Sequence, residues 1–186
     1  MNGTVAVTHE GGFSAFRADI TDLCKEGNNE MTIEVSNEDT PSMYPASADF
    51  TFYGGLYRGV NLISVPHTHF DLDYYGGSGI KVTPKPTEDG GATLKLKVFV
   101  TNQEDCFTVM YSIEDACGCE VAAAVRPADD TAVTIYVPDA KLWSMDEPNL
   151  YTVVARLQKN NETYDEIHVN NWCTQVFCYI GWWIFY

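Results

Sequence analysis

The sequence predicts an all-β chain built as two β-sandwich domains, the first only part of a sandwich. Three observations carry this. Apolar residues alternate with polar ones at period two along most of the chain, Gly, Asn and Asp pairs interrupt the alternating runs at short intervals, and no stretch repeats the spacing of a long amphipathic helix. Aromatic residues make up 13% of the 186 residues, which suits half-buried strands and also surfaces that stack on sugar rings.

In chain order, Met31, Ile33 and Val35 alternate with Thr32 and Glu34 and predict a strand in the front part of the chain. Leu94, Leu96, Val98 and Val100 predict another, as do Phe107, Val109, Tyr111 and Ile113. Val133, Ile135 and Val137 follow, then Tyr151, Val153, Ala155 and Leu157. Each run turns one face toward a core and the other toward water. Turns are predicted at Gly11-Gly12, Gly27-Asn28-Asn29, Glu88-Asp89-Gly90-Gly91, Asp129-Asp130 and Asn160-Asn161. Ile20 to Leu23 is expected to form a single helical turn capped near Asp19.

A domain boundary is expected near Gly76-Gly77-Ser78-Gly79. Residues 1–76 are Gly- and aromatic-rich and supply too few strands to close two sheets, so they are expected to form part of a sandwich. Residues 77–169 carry five or six short runs at spacings of about 8–12 residues, the pattern of a complete immunoglobulin-like sandwich. Residues 170–186 break the pattern: they hold three of the four Trp and show no clean alternation.

Charge removes some function classes. With 11 Lys and Arg against 26 Asp and Glu, the formal net charge is −15. A nucleic-acid partner and an anionic membrane surface both require a cationic footprint, so neither is expected. The six Cys are irregularly spaced, and Cys117-Gly118-Cys119 lacks the two-residue spacing of a structural zinc site. Reduced thiols and a cytoplasmic location are expected. His67-Thr68-His69 puts two imidazoles on one strand face, but no third ligand lies at a helpful spacing, so no metal site is expected.

Three stretches resemble glycoside hydrolase family two, the β-galactosidase and β-glucuronidase family. Asn2-Gly3 with His9-Glu10-Gly11-Gly12-Phe13-Ser14-Ala15-Phe16 and Asp19-Ile20-Thr21 resembles a hairpin and turn late in that family's jelly-roll, galactose-binding-like sugar-binding domain. Asp49-Phe50-Thr51-Phe52-Tyr53-Gly54-Gly55-Leu56-Tyr57-Arg58 resembles the loop and strand that end it, and Leu142-Trp143-Ser144 with Pro148, Leu150 and Tyr151 resembles a motif near the end of the immunoglobulin-like domain. Met145 stands where the family often has Pro. The tone of the motifs is closest to β-galactosidase.

The resemblance implies a retaining glycosidase in which two Glu on a TIM barrel do the chemistry. A barrel needs about 200 residues or more, so this chain is expected to be a non-catalytic fragment, inactive alone and without catalytic residues. A free-standing carbohydrate-binding module and a fragment that complements a separate catalytic barrel are the alternatives. A β-galactoside-type carbohydrate is the expected partner of the intact enzyme, with no cofactor of the chain itself; sodium or magnesium would belong to the intact enzyme. By resemblance Asp49 binds substrate, since an ionised carboxylate accepts strong hydrogen bonds from sugar hydroxyls; as a residue it also suits a turn cap. Arg58 is expected to be structural, Phe52, Tyr53 and Tyr57 to be core before sugar platform, Trp143 to be a buried interdomain anchor, and His9 a hydrogen-bonding or conformational residue. Asp71 and Asp73 beside Tyr74-Tyr75 are expected in an interdomain strand.

The ends depart from the family. Residues 170–186, read one nucleotide later through compatible codons, allow the Gly-x-Arg and Gly-Phe-Phe segments the family has at this point, which suggests a frameshift product; a genuine C-terminal strand of unusual composition is the alternative. Earlier jelly-roll strands are expected upstream of Met1, leaving the first domain with an uncovered apolar face.

Overall fold

The computed structural model describes residues 1–11, 15–38, 49, 53–56 and 58–171. The chain divides into two compact units, Met1–Ile63 and Ser64–Tyr186.

Among its described residues the first unit holds one regular element, a 3₁₀ turn at Thr21–Leu23. Asp19 Oδ1 accepts the Thr21 N–H at 2.9 Å, so the carboxylate satisfies a donor that the turn leaves free, as the sequence predicts. Asn2 ties distant parts of the unit together. It sits at φ +49°, a conformation Asn tolerates, and its Nδ2 donates to Leu23 O and to Asn29 Oδ1 while its Oδ1 accepts from Glu30 N. Asn29 in turn accepts from Lys25 N and donates to Lys25 O.

The strand expected at Met31–Val35 does not form among the described residues. The three apolar side chains are 48%, 44% and 46% exposed and the segment joins no ladder. Alternation selects an apolar face, but a strand exists only as one side of a hydrogen-bonded pair. Val5, Phe16, Val60 and Leu62 are exposed as well, and no described residue of this unit is buried.

The second unit is an antiparallel sandwich. Its strands are β1 His69–Phe70, β2 Ile80–Pro86, β3 Ala92–Val98, β4 Val100–Thr101, β5 Thr108–Glu114, β6 Glu120–Pro127, β7 Val133–Val137, β8 Tyr151–Lys159 and β9 Glu162–Asn171. One sheet has the order β2-β3-β7, the other β6-β5-β8-β9, and β1 pairs with β4 alone. The chain changes sheet between β4 and β5, between β6 and β7, and between β7 and β8, which is the Greek-key habit of immunoglobulin-like folds. The predicted inward sets meet in one core: Leu94, Leu96 and Val98 with Val133, Ile135 and Val137 from one sheet, and Val109, Tyr111 and Ile113 with Val153, Ala155 and Leu157 from the other. Val100, read as a fourth member of its run, is half-buried on β4 because the ladder breaks at Phe99.

One polar chain crosses this core. Tyr111 is fully buried on β5 and its hydroxyl donates to Thr131 O at 2.7 Å; Thr131 Oγ1 donates to Val98 O at 2.7 Å, on β3 of the opposite sheet. Burial, the largest cause, pushes the Tyr111 hydroxyl from 10.0 up to about 12.

The turns use the residues the sequence offers. Asn160 and Asn161 both take positive φ, +52° and +64°, and close β8 to β9 as a two-residue hairpin loop. Between β2 and β3, Gly90 at φ +86° completes a turn in which Asp89 accepts from Thr87 Oγ1, Gly91 N and Tyr136 Oη. Those bonds hold the Asp89 carboxyl below its usual range, Thr87 contributing most. Asp115 does the same between β5 and β6, accepting from the backbone N–H of Cys117 and Cys119.

The second unit extends upstream of Gly76–Gly79. Phe70 is 1% exposed, its N–H donates to Asp165 Oδ2 on β9 at 2.8 Å, and Thr68 Oγ1 donates to Asn102 O at 2.9 Å. Gly79, at φ +69°, lies where a Cβ would come within 2.5 Å of Asp71 O.

Replacing Tyr111 by Phe should lower unfolding stability by roughly 1–3 kcal/mol, because it strands the buried Thr131 carbonyl; urea denaturation near neutral pH measures it. An unfolded tyrosine ionises near 10.0 and this one near 12, so the unfolded state binds fewer protons in between. Stability is therefore complete below pH 10 and falls as pH rises toward 12, and Tyr111→Phe should flatten that loss. Gly79→Ala should cost more than about 1 kcal/mol, since it combines a disfavoured φ with a backbone clash; an unchanged urea midpoint would refute the steric reading.

Candidate functional site

The sugar-binding candidate Asp49 is exposed at a bend of the first unit. Its neighbours 39–48 and 50–52 lie outside the described residues, as do Phe52 and Tyr57. Tyr53 is 82% exposed and Arg58 is exposed, so neither is a core residue. His9 stacks on Phe16 with ring centroids 4.3 Å apart and planes 14° from parallel. That is a packing role; Gly12 of the turn expected at Gly11-Gly12 lies outside the described residues.

In the second unit the paired histidines separate. Only His69 lies in β1, and its Nδ1 is 2.9 Å from Pro66 O and 3.2 Å from His67 O, a geometry that uses the ring nitrogen as a donor to backbone. Among the described residues no three His, Cys, Asp or Glu are grouped to hold a metal ion. Asp71 caps a turn by accepting the Asp73 N–H, and its own N–H donates to Phe99 O. These residues lie within the second unit, after the β1 strand.

The Leu142–Tyr151 motif forms a closed loop. Trp143 bridges to Pro148, Ser144 N–H donates to Glu147 O, Asn149 Nδ2 donates to Leu142 O, and Lys141 N–H donates to Tyr151 Oη. Trp143, expected as a buried interdomain anchor, is half-buried, and its backbone bridges to Pro148.

Other charged groups form ion pairs on the surface. Glu166 on β9 is held by His168 and by Arg156 of β8, and His168 first, then Arg156, keeps its carboxyl below the usual range. Lys159 Nζ lies 3.1 Å from Glu104 and 4.9 Å over the Phe107 ring, and this lysine lowers the Glu104 carboxyl. Arg156–Glu166 links β8 to β9, and Lys159–Glu104 ties the end of β8 to the loop between β4 and β5. The sequence reading passed over one feature, a row of exposed lysines at Lys81, Lys85, Lys95 and Lys97; the signal was present in the polar half of the alternating run at Leu94–Val98.

Comparison with known proteins matches residues 78–170 to the family model described as glycosyl hydrolases family 2. The chain is 80% identical to the FMN-binding β-glucuronidase of Facaelibacterium prausnitzii L2-6, covering 92% of this chain and 27% of that one with a TM-score of 0.88. A β-galactosidase of Clostridium acetobutylicum is 30% identical over 90% of this chain and 18% of its own length. A β-glucuronidase of Bacteroides fragilis is 25% identical over 86% of this chain and 24% of its own length. The chain thus spans between 18% and 27% of these relatives. The chain belongs to glycosyl hydrolases family 2.

Proposed function

We propose that this chain is the non-catalytic front portion of a β-glucuronidase, supporting hydrolysis of a β-glucuronide by a catalytic domain outside its 186 residues. The observation that carries the reading is the 80% identity to a β-glucuronidase over 92% of the chain. It moves the substrate from the β-galactoside suggested by the motifs to a β-glucuronide. The share of each relative that is matched supports the non-catalytic role, since retaining hydrolysis needs two carboxylates about 5 Å apart on a barrel of about 200 residues or more.

Asp49 is proposed to accept hydrogen bonds from sugar hydroxyls in the assembled enzyme, its exposure leaving the carboxylate free to reach a ligand. Four described cysteines are exposed free thiols, which supports the cytoplasmic reading. The flavin of the 80% identical relative is not carried over.

The test is an assay of aryl β-glucuronide and aryl β-galactoside hydrolysis, by the purified chain and by the full-length enzyme that contains it. Expected are no turnover by the chain, turnover of the glucuronide by the full-length enzyme, and a loss of about tenfold or more in kcat/KM for Asp49→Ala in that enzyme. Turnover by the 186-residue chain itself would overturn the non-catalytic reading, and preference for the galactoside would overturn the substrate.

A further inference from the structure

The outward face of the three-stranded sheet is basic in an acidic chain. Lys81 and Lys85 of β2 and Lys95 and Lys97 of β3 are all exposed on it, so four of the eleven Lys and Arg share one face while the formal net charge is −15. Period-two geometry selects them, since Val82, Leu94, Leu96 and Val98 take the inward positions. Lys81 stands directly opposite Lys97 in the ladder, an arrangement that is destabilising for like charges. Their neighbours on this face, Thr83, Thr93, Thr134 and Tyr136, are uncharged, and none of the four lysines is in an ion pair among the described residues. A bound anion would relieve this repulsion.

An aromatic stack adjoins the row. Lys97 Nζ is 5.2 Å from the Phe99 ring centroid, Phe99 stacks on Tyr74 at 4.4 Å and 22°, and Tyr75 meets Tyr74 edge-on at 5.0 Å. Tyr75 sits at φ +46° and is 94% exposed. Positive φ is uncommon for a bulky residue and marks a position worth a functional question. The result is an aromatic ring held in water at the end of a row of cations.

We propose that this face of the second unit is a non-catalytic binding site for an acidic polysaccharide. The lysines meet carboxylates on the sugar rings, and Tyr75, backed by Tyr74 and Phe99, takes the apolar face of a ring. Lys81 and Lys85 are four residues apart, ~13 Å along β2, a span that fits a polymer bearing repeated carboxylates better than one small anion. Nucleic acid fits less well, because four lysines neutralise little of its much denser phosphate charge. The site is a property of the folded sheet, independent of the catalytic reading, and its test is binding rather than turnover.

The purified chain is titrated with hyaluronan oligosaccharides in about 50 mM salt, where screening is weak, with dextran and duplex DNA as comparisons. Expected are binding to hyaluronan, none to dextran, and affinity for DNA lower by about tenfold or more. Lys81→Glu sets opposite charges across the ladder; it should weaken hyaluronan binding by about tenfold yet raise the urea midpoint. A purely structural lysine would change the midpoint and leave binding untouched. Tyr75→Ala should weaken binding by about threefold to tenfold. The proposal is overturned by absence of hyaluronan binding, by full affinity in Lys81→Glu, or by equal affinity for DNA. It is also overturned by a concentration-dependent dimer that Lys81→Glu dissolves, which would give the face to a second copy.

Discussion

The contact between the two sheets of the second unit is the constraint on which the rest depends, and it is almost wholly apolar. Val, Leu, Ile and Ala side chains from β3 and β7 meet those of β5 and β8, with Leu96, Val109, Ile113, Val153, Ala155 and Leu157 at 0% exposure. Apolar contact supplies most of the free energy but little direction, because many registers bury similar area. The relay Tyr111–Thr131–Val98 adds direction. It asks a hydroxyl on one sheet to reach a carbonyl in the crossing loop while that residue's own hydroxyl reaches the other sheet. A slip of one residue on β5 would turn Tyr111 outward and leave Thr131 O unsatisfied in a dry core, so the relay and the alternation specify the same register.

The same logic runs through the periphery, where carboxylates replace hydroxyls. Asp71, Asp89 and Asp115 each cap a turn by accepting backbone N–H groups, and Asp165 accepts the N–H of Phe70. These four of the 26 Asp and Glu are therefore spent locally, on backbone groups that no ladder satisfies. Phe70 shows how these parts cooperate. Its ring is buried, its N–H is claimed by β9, and Asp71 follows it into a turn that only a glycine at position 79 permits. The segment before β2 is thereby part of the sandwich, although its composition reads as a linker.

What the sequence made legible follows from this. Strands that face a core on one side announce themselves: the inward sets of β3, β5, β7 and β8 could be named from alternation alone, and Asn160-Asn161 could be named as a turn. The edge strands were harder. β2 carries Pro84 and Pro86, which an edge tolerates but which weaken any strand signal, β6 faces the core with Ala122 and Ala124, and β9 is mostly polar. At the front of the chain the reverse error arose: Met31, Ile33 and Val35 carry the pattern of a strand without a ladder among the described residues. Asp49 was identified by resemblance rather than by pattern, and no local physical signal separates it from a turn aspartate. The lysine row escaped notice because a charge total hides where the minority sign sits, and only register brings Lys81 opposite Lys97.

That register explains how a chain with a formal net charge of −15 can still present a basic surface. Salt screens exposed charges beyond about 10 Å, so a ligand lying on one sheet face responds to the four lysines there more than to carboxylates on other faces. Some of the acids, Asp89, Asp115 and Glu166 among them, are engaged by N–H groups, Arg156 and His168. Sheet geometry thus gathers four lysines, none in an ion pair among the described residues, on one exposed face. A scaffold of this kind does not need to contribute to bond cleavage to matter. Its contribution would be to hold a polymer where its ends can be reached, and a stiff sandwich with satisfied turns loses little entropy in doing so.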